Sequence, residues 1–76
     1  MSMATINRTT RVLHAIEDRT WGEDRDTTVY WLTINLGDSE TSIRRAVAKL
    51  LDGGFIERRR VHGAEYGYRA IRKDES

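Results

Sequence analysis

Nine side chains in the second half of the chain have the chemistry to hold a polyanion. Thr41, Ser42, Arg44, Arg45 and Lys49 form one cluster, and Arg58, Arg59, Arg60 and His62 form another. Arginine and lysine neutralise phosphate charge, and the arginine fork also matches planar acceptor pairs. Hydroxyls add hydrogen bonds to phosphate oxygens. This is binding chemistry. The sequence has no glycine-rich phosphate loop, no metal-ligand cluster and no nucleophile motif. An enzyme is therefore not expected, and no cofactor or metal is implied. The other histidine, His14, is expected to be partly buried at the edge of an apolar helix face.

The charge distribution sharpens this reading. The net charge is only +1, yet the basic residues are unevenly placed. Residues 1–37 hold Arg8, Arg11, Arg19 and Arg25 against Glu17, Asp18, Glu23, Asp24 and Asp26. From 44 to 73, Arg44, Arg45, Lys49, Arg58, Arg59, Arg60, Arg69, Arg72 and Lys73 face only Asp52, Glu57 and Glu65. Such asymmetry points to an anionic partner. At 76 residues the chain is one domain, 1–76, with a core over about 8–72 and frayed ends. It has no cysteine, so packing alone must stabilise it. No apolar run is long enough to span a membrane, and no basic-then-apolar leader opens the chain. A cytoplasmic location is expected on those grounds.

Three helices must position the first cluster. The first is predicted over about 10–19, capped by Thr9 or Thr10, with Val12, Leu13 and Ile16 on one face. A polar loop should follow over 20–26, with Trp21 closing the end of the core. Residues 28–36 are ambiguous. Alternating Tyr30, Leu32, Ile34 and Leu36 suit a strand, whereas Val29, Leu32 and Leu36 suit a helix. Thr28 as cap, Gly37 as stop and the neighbouring segment decide for the helix. That neighbour spans 40–52 behind a Ser39 cap. Ile43, Ala46, Val47, Leu50 and Leu51 make its apolar stripe, and Gly53-Gly54 ends it. Runs at 55–62 and 65–72, separated by Gly63-Ala64, then read as a β-hairpin. A lone hairpin is marginal, so Phe55, Ile56, Tyr68, Ala70 and Ile71 are expected to pack on the helices.

The stretch 28–56, TVYWLTINLGDSETSIRRAVAKLLDGGFI, resembles the core of winged helix-turn-helix transcription regulators. The likeness rests on Leu32, Leu36-Gly37, Ser39, the run Thr41-Ser42-Ile43-Arg44-Arg45-Ala46, Leu50 and Gly54-Phe55-Ile56. It implies an α+β fold of three helices followed by a two-stranded wing. It also implies a small regulator that binds double-stranded DNA. The major groove, about 12 Å wide, admits one helix. Arg45 would then reach a base edge, with Arg44 and Lys49 on phosphates. Thr41 and Ser42 would sit in the first turn, where backbone N–H groups also meet phosphate. The hairpin arginines and His62 would reach the backbone or minor groove. Strand alternation separates Arg59 from Arg58 and Arg60. The chain departs from the pattern in lacking a wing proline. Glu65 near the tip, and Asp38 and Glu40 at the third helix, would repel phosphate.

The rival reading is a protein-interaction module without direct DNA binding. Trp21, Tyr30, Trp31 and Tyr66 would form its sticky surface, since aromatics are enriched at interfaces. Trp31 is the residue the core least needs. A homodimer built on it would set two recognition helices about one DNA turn apart, roughly 34 Å.

Overall fold

In the computed structural model, which describes residues 7–62 and 65–71, the chain runs α1 (Arg8–Glu17), a π-helical turn (Asp18–Gly22), α2 (Val29–Leu36), α3 (Glu40–Asp52), β1 (Ile56–His62) and β2 (Glu65–Ala70). It is a small α+β domain: three α-helices followed by an antiparallel two-stranded hairpin.

Local chemistry sets most of the boundaries. Asn7 Oδ1 accepts from the Thr10 amide at 2.9 Å, so α1 begins two or three residues earlier than a threonine cap would place it. Thr28 Oγ1 accepts from the Trp31 amide and starts α2, and Gly37 ends it in the left-handed region at φ 76°. The strand-like alternation at 28–36 is thus overruled by its caps. Ser39 caps α3 through the Ser42 amide. At its far end the Phe55 amide reaches back to the Leu50 carbonyl around Gly54, whose φ is +78°. A side chain at Gly54 would cost about 1–2 kcal/mol in that conformation.

Two departures from the sequence reading lie after α1. The expected 20–26 loop is helical as far as Gly22, where the chain forms a π turn. The turn closes with the Arg25 amide on the Arg19 carbonyl, and Asp24 takes the left-handed position at φ 56°. Aspartate tolerates that region better than most residues. The wider turn carries Thr20 inward, where its hydroxyl accepts the Ala70 amide at 3.1 Å. Trp21 consequently points outward and is 46% exposed instead of closing the core. His14 is also exposed, not partly buried.

The core is Val12 and Ile16 of α1, Leu32 of α2, Ile43, Ala46, Val47 and Leu50 of α3, and Ile56, Tyr68 and Ala70 of the hairpin. Leu51 is only half-buried. Of the five residues expected to anchor the hairpin, Ile56, Tyr68 and Ala70 do so. Phe55 and Ile71 lie just outside the strands and stay exposed. Pairing starts at Ile56↔Ala70 and runs to Arg60↔Tyr66, with an irregularity before His62↔Glu65.

A third backbone segment joins the sheet at one point. Thr27 and Tyr68 exchange both amide bonds, at 3.0 and 2.8 Å, just before α2 begins. Thr27 is fully buried, and Arg19 Nε donates to its hydroxyl at 3.2 Å. Arg69 lies nearby and binds Asp26 at 2.9 Å and also Asp24. The hydrogen bond to Asp24 is the main reason its guanidinium pKa is raised; burial opposes the shift and Asp26 reinforces it. A raised value means this stabilisation is fully present at neutral pH and fades only as pH climbs through it. These links fix the hairpin relative to the start of α2.

Candidate functional site

The outward side of α3 follows from its periodicity. With Ile43, Ala46, Val47 and Leu50 buried, Thr41, Arg45 and Ala48 point away from the domain. Ser42 and Lys49 fall on the flank toward α1, and Glu40 and Arg44 on the flank toward the hairpin. Every predicted residue of this cluster is at the surface, although Ser42 is half-buried. Their electrostatic states differ. Arg44 is closed on Glu40, with Nη2 at 2.7 Å and Nε at 2.8 Å from the same carboxylate oxygen. Among the described residues no carboxylate lies within ion-pair distance of Arg45 or Lys49. The Ser42 amide is taken by the Ser39 cap, and Ser39 Oγ also donates to Ser42 Oγ at 3.1 Å. That leaves fewer first-turn donors for an anion than the sequence suggested.

The flank toward α1 holds a shallow depression of about 200 Å³ lined by Arg8, Thr9, Ser42, Arg45, Ala46 and Lys49. Three cationic side chains from two helices surround a small buried alanine. Arg8 is held from its other side by Asp38, with Nε at 3.3 Å. Arg11 approaches the same carboxylate oxygen at 3.9 Å and donates a long 3.5 Å hydrogen bond to the Leu36 carbonyl. The sequence reading missed Arg8 and Thr9. Their neighbourhood with α3 depends on how α1 crosses it, which local spacing does not encode.

The flank toward the hairpin is different. A larger depression of about 450 Å³ is lined by Val29, Tyr30 and Thr33 of α2, Glu40 and Arg44 of α3, and Tyr66 and Tyr68 of β2. Its single positive side chain is the one already matched by Glu40. Register places Arg58 opposite Tyr68 and Arg60 opposite Tyr66, so these arginines share the hairpin face that packs on the helices. The Arg58 guanidinium stacks 4.6 Å from the centre of the Tyr66 ring, and Arg60 lies at 6.0 Å. Arg59 pairs with Gly67 on the opposite face, beside Glu57 and Arg69. The consecutive arginines therefore divide two to one, as alternation requires. The His62 side chain and the turn at Gly63 and Ala64 lie outside the described residues.

Of the aromatic surface considered in the sequence, Trp31 does not belong to it. Its ring is half-buried against the core and covered by the Arg19 guanidinium, 4.2 Å from the ring centre. The aromatic left open on α2 is Tyr30, 72% exposed, with Ile34 at 59% one turn along. Among the described residues no helix is long and apolar enough to cross a membrane. Comparison with protein-family models, curated proteins and solved structures finds no match to this chain.

Proposed function

We propose that the chain is a winged helix-turn-helix domain that binds double-stranded DNA as a small regulator. On this reading α3 enters the major groove and the β1–β2 hairpin is the wing, lying along the backbone or in the minor groove. The observation that carries it is the state of Arg45 and Lys49. They stand one turn apart on α3, exposed and without a carboxylate partner among the described residues. Arg8, Arg44 and Arg69, by contrast, each have one. An unmatched cationic stripe on the most regular helix is what a phosphate backbone rewards. Arg45 sits nearer the centre of the outward side, where a base edge is within reach, and Lys49 nearer the rim, where phosphates lie. The order helix, helix-turn-helix, hairpin supports the same reading. So does the Thr27–Tyr68 pairing, which joins the hairpin to the segment before α2.

The test is titration of the 76-residue chain against mixed duplexes at several salt concentrations, followed by selection from a random duplex pool. Affinity should fall linearly with salt on a logarithmic scale, by about 0.9 in slope for each phosphate contact. A preferred sequence should emerge that Arg45→Ala relaxes, at about 1–3 kcal/mol for a lost bidentate contact. Absent binding at low salt, or binding insensitive to salt, would remove the proposal.

The exposure of Tyr30 and Ile34 favours a second reading, a docking surface on α2 for a protein partner or a second copy. Partner recovery that survives nuclease treatment and is lost in Tyr30→Ser would support it. Trp31→Ala would be a less informative variant, because that ring is half-buried against the core beneath Arg19.

A further inference from the structure

We infer that the depression between the first turn of α1 and the middle of α3 is a seat for one phosphate oxyanion. Resting on the reading above, that oxyanion is a backbone phosphate of the bound duplex. The inference starts from charge. Arg8, Arg45 and Lys49 converge on the depression from two helices, and no carboxylate lines it. Thr9 and Ser42 add hydroxyls to the rim. Ser42 accepts from Ser39 through its oxygen and keeps its own proton to donate. The one nearby acid, Asp38, is shared between Arg8 and Arg11 and lies largely out of solvent. Its Oδ2 lies 3.3 Å from Arg8 Nε without forming a hydrogen bond, and the Arg8 terminal amino groups are left for an incoming oxygen.

Size decides what kind of anion fits. Pockets for drug-sized ligands run from about 300 to 1,000 Å³. A volume of about 200 Å³ falls below that range. A tetrahedral phosphate with a few waters fits, given about 30 Å³ per water. The larger depression on the other flank fails for the opposite reason: it is roomy and aromatic, and its cation is already neutralised. The seat thus adds the start of α1 to the footprint and fixes which side of α3 faces the phosphate strand.

The test uses the full chain in two arms. In the first, inorganic phosphate is titrated in at constant ionic strength, with chloride as control, and the Arg8 and Arg45 side-chain N–H resonances are followed by NMR. In the second, duplex affinity and its salt dependence are measured for the parent, Arg8→Gln, Arg8→Lys and Thr9→Ala. Thermal midpoints check folding. The seat predicts saturable, phosphate-specific shifts at Arg8. It also predicts about five- to tenfold weaker duplex binding in Arg8→Gln, with the salt slope shallower by about one, and recovery in Arg8→Lys. If Arg8→Gln is unfolded, the phosphate titration at Arg8 in the parent decides, and absent saturable shifts there overturn the seat. Parent-like binding and slope in Arg8→Gln, alongside weakened binding in Arg45→Ala, would overturn the seat and leave the DNA reading intact. Phosphate saturation without any duplex binding would keep the seat, make free phosphate its source and sink the DNA reading. No response to either ligand would overturn both.

Discussion

The two flanks of α3 carry similar groups and end in opposite states. Toward the hairpin, Arg44 faces Glu40 from the same helix, and tyrosines line the rest of the hollow. Toward α1, Arg45 and Lys49, which have no acid partner among the described residues, lie beside Arg8, which shares Asp38 with Arg11, over a small apolar floor. On α3 itself each flank has one basic residue, Arg44 or Lys49, with Arg45 between them on the outward side. The position of one glutamate, four residues before Arg44, makes them different. Four-residue spacing closes an ion pair on a helix surface, and the charge it consumes is then less available to a partner. On the proposed reading, what matters is less where the arginines are than which of them lack an acid at that spacing.

The comparison breaks or sharpens under five variants. Reversing both free cations, Arg45→Glu with Lys49→Glu, should cost about two to three orders of magnitude in duplex affinity near 0.1 M salt. Arg44→Ala, measured in the same gel or anisotropy assay, should cost less than about threefold. Equal losses would mean the flanks are not distinct. Thr20→Ala strips the Ala70 amide of its buried partner and should lower unfolding free energy by about 1–3 kcal/mol in denaturant titrations. It should loosen the tyrosine-lined flank, which borrows one wall from the hairpin, while phosphate shifts at Arg8 persist. Glu40→Gln frees Arg44 and should tighten non-specific duplex binding a few-fold, with the salt slope steeper by about one. An unchanged slope would show that the ion pair was never limiting. An effect of similar size belongs to Tyr66→Leu. It removes an exposed cation–π contact worth about 0.5–1 kcal/mol and should weaken binding about two- to fivefold if Tyr66 positions Arg58 for the backbone.

Much of this frame is legible in the sequence because the deciding signals are local. Ser39 and Gly53-Gly54 bracket α3, its apolar stripe is regular, and its boundaries follow directly. In α2 the same kind of signal prevails over composition. Thr28 and Gly37 decide for a helix although alternation suggests a strand, and two of the alternating residues, Tyr30 and Ile34, are surface residues. The illegible parts depend on partners distant in the chain. Thr20 and Thr27 look like loop residues until the hairpin supplies an amide to one and a backbone pair to the other. Trp31 looks dispensable until Arg19 covers it. The α1 end of the site is the clearest case. Arg8 reads as the edge of a fraying terminus, and only the crossing of α1 over α3 puts it beside Lys49.

The amide exchange between Thr27 and Tyr68 carries a consequence for recognition. It sits one residue before the cap of α2 and so ties the ribbon to the helix that leads through the Gly37 turn into α3. On the proposed reading, that tie would make ribbon and third helix meet an uneven target together. Under the proposed function, mismatch in groove width would be absorbed by bending the nucleic acid. Preferred sites would then be enriched in easily kinked pyrimidine–purine steps at positions no side chain touches.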